Sequence, residues 1–252
     1  MSFNDKVVIV TGSSSGIGAA TAIKLSKDGA KVVLVGRNQT KLDQVAKKCN
    51  NPLTITAEVT KEEDLKRIIN DTIKHFGKLD ILINNAGVSN QASILAENAM
   101  ESFNQTMATN LNAVVHLTHL AAPHLVKTKG NIVNISSIAS TKVTAFLGFA
   151  YNTSKAAIDH FSRSIASELA SSGVRVNCVN PGPVKTDIAD KMVRTKAELD
   201  GFWEFAKTKT ALNRVSDPEE IADLVLFLAS DKAKGITGSA FVSDNGALIK
   251  SD

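Results

Sequence analysis

Several features common in other protein classes are scarce in this chain. Tyrosine and tryptophan occur once each in 252 residues, so any phenol chemistry must fall on Tyr151. The two cysteines, Cys49 and Cys178, lie far apart, which excludes a disulfide framework or a thiolate metal cluster and fits a reducing compartment. No apolar run approaches the roughly 20 residues that span a bilayer. The opening Met1-Ser2-Phe3-Asn4-Asp5-Lys6 has no signal-peptide core, and Ile249-Lys250-Ser251-Asp252 matches no retention or peroxisomal address, so a cytoplasmic location is expected. Lysine and arginine give a net charge of +4 but are scattered, which argues against a nucleic-acid partner. Repeats, low-complexity tracts and interdomain linkers are missing too, and a single domain over 1–252 is expected.

What is present is a rhythm of short β-branched runs and amphipathic segments. Lys6–Val10, Lys31–Val35, Leu53–Ala57, Leu79–Ile83, Gly130–Ser137, Val174–Val179 and Ser239–Ser243 read as strands, several of them apolar throughout, as in a parallel sheet buried on both faces. The segments between them read as helices: 39–48, one opening on a Thr60–Glu63 capping box and stopping at Gly77, a long region over 97–126, the Tyr151 helix, and one capped by Asp217-Pro218. Alternating strands and helices predict an α/β fold with a doubly wound parallel sheet.

The first strand runs into Thr11-Gly12-Ser13-Ser14-Ser15-Gly16-Ile17-Gly18 and then a helix, the context a dinucleotide fingerprint requires. Gly12 permits a tight turn. Gly16 lets backbone N–H groups approach a pyrophosphate, and Gly18 lets the helix pack on the strand. The spacing is G-x-x-x-G-x-G; as a bare pattern it also fits a flexible loop. The second strand ends in Gly36-Arg37-Asn38. An acid there would bind a ribose 2′-OH. Arg37 instead supplies a charged fork for a 2′-phosphate, which argues for NADP(H), with NAD(H) still possible; the plain alternative is a solvated loop arginine. The fourth strand ends in Asn84-Asn85-Ala86-Gly87, which suits close approach of backbone to a ligand or simply an Asn-rich turn.

Tyr151 and Lys155 are four apart, so one helical face carries a phenol beside an ammonium. That charge is expected to lower the phenol pKa and make Tyr151 a tuned proton donor. Asn110 sits among apolar neighbours and also reads as a structural residue. Residues 185–212 break the βα rhythm and hold Phe202, Trp203 and Phe205, which predicts a lid over a site or a packed helical hairpin.

Together, Thr11 to Gly18, Asn84 to Gly87, Asn110, Ser137, Tyr151, Lys155 and Pro181-Gly182 resemble the short-chain dehydrogenase/reductase family over nearly the whole chain. The resemblance implies a Rossmann-type sheet of seven strands in the order 3-2-1-4-5-6-7. It also implies pyridine-nucleotide-dependent interconversion of a carbonyl and a secondary alcohol, and with Arg37 the expected cofactor is NADP(H); no metal site is expected. Asn110, Ser137, Tyr151 and Lys155 match the catalytic four. In that scheme Tyr151 gives the proton, Ser137 holds the oxygen, Lys155 lowers the Tyr151 pKa and binds the nicotinamide ribose, and Asn110 links Lys155 to solvent through a water. Gly12, Ser14, Ser15, Gly16, Ile17, Gly18, Arg37, Asn38, Glu58, Val59, Asn85, Ala86 and Gly87 match cofactor contacts, together with Tyr151 and Lys155. Pro181, Gly182, Val184 and Thr186 match the loop over the nicotinamide. A small-molecule partner is implied, with no membrane insertion, and a homotetramer or dimer. Phe146, Phe149, Phe202, Trp203 and Phe205 suggest an apolar substrate such as a 3-oxoacyl thioester, a steroid or isoprenoid, or a xenobiotic carbonyl; a sugar is a further candidate. The alternative from another class is a non-catalytic NADP(H)-binding regulator or scaffold.

Three positions depart from the family pattern. Ser137 lies fourteen residues before Tyr151, one more than is usual, which leaves Ser136 as a second candidate. Glu58 stands where an aspartate commonly meets adenine. Asp244-Asn245-Gly246 replaces the usual Asp-Gly-Gly.

Overall fold

β-branched residues with no polar alternation form the centre of the molecule because both faces of their strands are covered. A computed structural model describes residues 2–144, 148–187 and 195–250. Its strands are β1 (Val7–Thr11), β2 (Lys31–Gly36), β3 (Leu53–Thr56), β4 (Ile81–Asn84), β5 (Asn131–Ile135), β6 (Arg175–Pro181) and β7 (Ala240–Ser243). All pair in parallel, in the order β3-β2-β1-β4-β5-β6-β7. The seven expected strands, their order and the fold class are all present.

Side chains alternate between the faces of each strand. Val8 and Val10 of β1 join Val32 and Leu34 of β2 on one face. That face is covered by α1 (Gly16–Lys27), α2 (Gln39–Ala46) and α8 (Pro218–Ala229), through residues such as Leu25, Leu42 and Val225. Val7, Ile9, Val33 and Val35 point to the other face, against α3 (Glu62–Phe76) and α5 (Ala113–Thr128), with Leu65, Ile68 and Leu117 among the partners. Farther along lie α4 (Ala99–Met107), α6 (Gly148–Leu169), which packs on β6, and α7 (Lys196–Thr208). No described helix is long and apolar enough to cross a membrane.

Two local expectations need correction. The long helix is interrupted: residues Ala108–Asn112 form a π-turn between α4 and α5. The Thr60 capping box does not form. The N-cap of α3 is Lys61, one residue later than Thr60 and without a side-chain cap bond, while Asp64 in the first turn accepts from the Glu58 N–H at 2.8 Å. The Gly77 stop does form, with φ of 77°, and Asp217 with Glu220 makes a full capping box on α8.

Strand order reverses on either side of β1. The β2 connection leaves one way and the β4 connection the other, which opens a crevice at the carboxyl ends of β1 and β4. In sheets of this kind ligands bind at such a switch point.

Candidate active site

The turn after β1 is held by an unusually dense set of bonds centred on Thr11. Its hydroxyl accepts from the N–H groups of Asn85 and Ala86, both at 3.0 Å. The Asn85 amide donates back to the carbonyls of Thr11 (2.9 Å) and Gly12 (3.2 Å). The amide nitrogen of Asn85 is therefore directed at the turn, fixing the end of β4 to it. Gly12 has φ of 65°, and a Cβ there would meet Ala86 Cα at 2.9 Å. A Cβ on Gly18 would lie 2.4 Å from the Gly12 carbonyl. Gly16 differs: what a Cβ would meet there is only the Thr186 side chain, at 3.0 Å. Ser15 is the N-cap of α1 but makes no cap bond with its side chain, and Ile17 sits half-buried on the first turn. Thus backbone N–H groups at a helix start face a groove with room close to the chain. A Cβ would also fill the space at Gly87, 3.7 Å from Lys155 Nζ. These cradles fit the pyrophosphate and nicotinamide ribose of a dinucleotide.

The ends of β2 and β3 are more polar than the sequence suggests. Arg37 Nη1 lies 3.3 Å from Glu58 Oε2, so the two residues singled out here form an ion pair, with the Arg37 side chain 61% exposed. Asn38 caps α2, accepting from the Lys41 N–H at 2.9 Å. Val59 is buried in the core on the α3 side, and Ser14 lies under Gly36. Lys41 reaches across to Asp187 at 2.5 Å, and Ser15 also bonds that carboxylate. This strap draws the Thr186-Asp187 segment over the glycine turn. The lysine and serine hold the Asp187 carboxyl below its ordinary range.

The helix α6 brings the remaining polar groups to the crevice. Tyr151 is buried and hydrogen-bonded to Ser137, which lies just past the end of β5. Ser137 Oγ also accepts from the Ala139 N–H at 3.1 Å, capping a short turn over Ile138–Ser140. Ser136 faces elsewhere: its hydroxyl donates to the Lys155 carbonyl at 3.2 Å. The extra residue between Ser137 and Tyr151 is therefore absorbed without moving Ser137 away. Lys155 Nζ donates to the Ile135 carbonyl at 2.7 Å and sits 5.5 Å from the Tyr151 ring centroid, over the ring face.

Electrostatics here reverse one expectation. Burial pushes the Tyr151 phenol up to about 12, against the lowering effect of its bond with Ser137. Burial also pulls the Lys155 ammonium down to about 8, opposed by Cys178 and Asp159. The ammonium is spent on a carbonyl and on the ring face, so in the chain by itself desolvation outweighs it.

Asn110 lies in the π-turn, fully committed. Its Oδ1 accepts from the Val88 N–H at 2.8 Å, and its Nδ2 donates to the Val88 carbonyl (2.9 Å) and Ser154 Oγ (3.1 Å). The side chain clamps the loop that leaves Gly87.

This architecture matches known proteins over its full length. The family profile described as "Enoyl-(Acyl carrier protein) reductase" matches residues 12–247. The 3-oxoacyl-[acyl-carrier-protein] reductase of Thermotoga maritima is 31% identical over 257 residues, covering 99% of this chain and 100% of the relative. The L-fucose dehydrogenase of Bos taurus is 32% identical over 244 residues, covering 97% and 90%. A Caenorhabditis elegans short-chain dehydrogenase/reductase of unknown function, solved with cofactor, superposes with a TM-score of 0.93 at 34% identity, covering 99% of this chain and 97% of that one. The chain belongs to the short-chain dehydrogenase/reductase family. It is an oxidoreductase of the CH–OH/C=O class that uses a nicotinamide cofactor.

In this short-chain dehydrogenase/reductase the loop after β6 is anchored from behind. Pro181 ends the strand, and a Cβ on Gly182 would lie 2.7 Å from Asp244 Cα. Val184 is buried and bridges to Ser216. The Asp244-Asn245-Gly246 departure is accommodated because Asn245 takes φ of 52°, a conformation asparagine tolerates. Its amide then donates to Ser216 at 2.9 Å and its Oδ1 accepts from Arg214 at 3.0 Å.

The aromatic residues divide. Phe149 stacks on Phe103, rings 6.1 Å apart, so it packs the interior edge of α6. Phe202 and Trp203 meet edge to face at 4.9 Å on α7, and Ala206 is the only residue of that helix that is buried. Phe146 lies outside the described residues, as does part of the expected lid. Among the described residues there is no group of His, Cys, Asp and Glu that could hold a metal.

Sequence reasoning missed Thr11 as the bolt of the turn, Lys41 and Asp187 as a strap, and Asp159 with Asn180 below the Tyr–Lys pair. The last two carried a signal. Asp159 continues the four-residue spacing of Tyr151 and Lys155, and Asn180 directly precedes Pro181-Gly182.

Proposed function

We propose that the chain is an NADP(H)-dependent carbonyl reductase and alcohol dehydrogenase in which Tyr151 is the general acid and base. The observation that carries this reading is the Ser137–Tyr151 hydrogen bond at the crevice, with Lys155 one turn away beside the Gly87 cradle. A nicotinamide cofactor, when bound, supplies or accepts the hydride. Tyr151 protonates the carbonyl oxygen as it becomes an alkoxide, and Ser137 donates a hydrogen bond to the same oxygen. Lys155 would hold the nicotinamide ribose of a bound cofactor, and its positive charge beside the phenol would lower the Tyr151 pKa. Asn110 keeps the Gly87–Val88 backbone in place.

Arg37 supports the NADP(H) preference, since the end of β2 offers a guanidinium and no acid. An apolar substrate is supported by large apolar side chains left strongly exposed in the segments that follow the strands: Leu95 after β4, Val143 after β5, and Leu212 with Ile249 towards the C-terminus. Helix α7, lightly docked, is the lid of this reading.

The deciding experiment is a panel of ketones and secondary alcohols assayed with NADPH, NADP⁺ and their non-phosphorylated counterparts. Turnover is expected with the phosphorylated pair, and Tyr151→Phe should cut kcat by about 10²–10⁴-fold. Arg37→Ala should weaken NADPH binding while leaving NADH binding unchanged. Wild-type preference for NADH would overturn the cofactor assignment. Tight cofactor binding with no turnover across the panel would favour the regulatory alternative.

A further inference from the structure

Beneath Lys155 lies a buried carboxylate that the proposed chemistry does not use. Asp159 follows Lys155 by one turn of α6, on the same face, and is 6% exposed. Its Oδ2 accepts from Asn180 Nδ2 at 2.8 Å. The same nitrogen donates toward the Ser137 carbonyl (3.2 Å) and the Ser140 hydroxyl (3.0 Å). Asn180 is also the residue before Pro181-Gly182. One buried amide therefore joins the three segments that carry the Tyr–Lys pair, the serine and the nicotinamide loop, and Asp159 holds that amide.

The pairing is incomplete as a strut. Asn180 Oδ1 is buried and finds no hydrogen-bond donor. Asp159 Oδ1 has no nitrogen or oxygen donor, and beyond Asn180 the carboxylate's partner is the weak donor Cys178. A buried carboxylate so sparsely paired is costly, and a well-packed apolar pair would stabilise the fold better. The charge has an evident object. Lys155 is buried, and among the described residues the ionisable groups acting on it are Asp159 from its own helix and Cys178 from β6. Its other neighbours are neutral: the Ile135 carbonyl of β5, the Asn110 amide of the π-turn by way of Gly87, and the Tyr151 ring. The Cys178 thiol is held neutral at ordinary pH, since burial raises it to about 12 with Asp159 adding to the rise. Among the described residues, Asp159 is thus the acidic side chain acting on the ammonium.

We propose that Asp159 is a positioning residue for the Tyr151–Lys155 pair, tethering α6 through Asn180 to Ser137 and the Pro181-Gly182 loop and serving as the buried counter-charge that keeps Lys155 protonated. The inference rests on the hydride-transfer reading of the site, but half of it is measurable without turnover.

Asp159→Asn separates charge from tether, because the amide keeps an oxygen for Asn180 Nδ2 and loses the negative charge. In wild-type protein labelled with 13C at lysine Cε, the Lys155 resonance, assigned with Lys155→Met, reports its titration directly. Its midpoint is expected to fall by roughly half a pH unit or more in Asp159→Asn. The alkaline limb of kcat/KM for carbonyl reduction should move down with it, since removing a nearby anion lowers the pKa of whichever group sets that limb. Asp159→Glu, which keeps the charge, should return both toward wild type. Asn180→Ala tests the tether with the charge intact: kcat should fall about tenfold or more while the Lys155 midpoint stays. An unmoved Lys155 midpoint in Asp159→Asn overturns the counter-charge, and wild-type kcat in Asn180→Ala overturns the tether. Should Asp159→Asn not fold, Asn180→Ala still decides the tether, and the Lys155 midpoint in Asp159→Ser, which also removes the charge, decides the counter-charge. Should wild type show no turnover, the proposed function fails while the lysine titration still reports on Asp159.

Discussion

At the scale of single residues the chain spends its polar groups on one another before any ligand arrives. Arg37 is the clearest case. Read from sequence it is a free fork for a phosphate; folded, it is paired with Glu58 at 3.3 Å. The pairing exists because Glu58 is one methylene longer than the aspartate usual at this position and stands at the end of the neighbouring strand. A 2′-phosphate must therefore displace a carboxylate. An exposed ion pair of this kind is worth roughly 0–1 kcal/mol, at most about a fivefold change in affinity. Glu58→Gln is accordingly expected to tighten NADP⁺ binding about two- to fivefold and leave NAD⁺ binding unchanged, read by titration calorimetry of both. An equal gain for both nucleotides would place the effect of Glu58 at the adenine instead. Residue identities and spacing made Tyr151, Lys155, Ser137 and Arg37 legible. They could not reveal Arg37–Glu58, or the burial of Asp159, because those depend on which strands lie side by side. On a helix viewed alone, an aspartate four residues after a lysine reads as a solvated pair.

At the scale of elements the legible part is the part set by local physics. Apolar β-branched runs gave all seven strands, Gly77 gave a stop, and Asp217-Pro218 gave a start. What stayed hidden arises where a side chain from elsewhere competes for the backbone. The α3 start shifts one residue to Lys61, and Asp64 of its first turn binds back to the Glu58 N–H. Asn110 binds both polar atoms of the Val88 backbone, and the helix carrying it widens into a π-turn. The glycine turn is the element where both kinds of constraint meet, and Gly18 tests it. A Cβ there would stand 2.4 Å from both the Gly12 carbonyl and the Asn85 amide nitrogen. Neither is a flexible side-chain end, since Asn85 is itself bonded into the turn. Gly18→Ala should therefore push α1 off β1, at about 1–3 kcal/mol of stability. Cofactor affinity should drop more than tenfold, because the helix start carries the phosphate-binding N–H groups. Urea unfolding and fluorescence titration with NADPH measure the two effects. Wild-type values for both would mean that the turn has slack the packing does not suggest.

At the scale of the whole molecule, three buried groups near β6 and α6 set how stability changes in alkali. Each group titrating differently in the folded and unfolded chain adds a slope of about 1.4 kcal/mol per pH unit between its two pKa values. Lys155 falls from 10.5 to about 8 on folding, so between these values the folded chain holds fewer protons and stability rises with pH. Cys178 rises from 9.0 to about 12, so from pH 9 upward the folded chain holds more protons and stability falls. Tyr151 rises from 10.0 to about 12 and falls in the same direction from pH 10. The sum is a rise from pH 8 to 9 and a near-plateau to pH 10, where lysine and thiol cancel. Above about pH 10.5 two acids act together and the loss approaches about 2.7 kcal/mol per unit. Urea unfolding at pH 8, 9, 10 and 11 should trace this shape. Cys178→Ser removes the thiol at little change in volume, so the rise should continue to pH 10 and the later fall should be half as steep. Tyr151→Phe should leave the plateau and halve only the final fall. If stability declines steadily from pH 8 in wild type, then Lys155 is not carrying a desolvation penalty, and the buried ammonium below the crevice is paired more completely than its neighbours indicate.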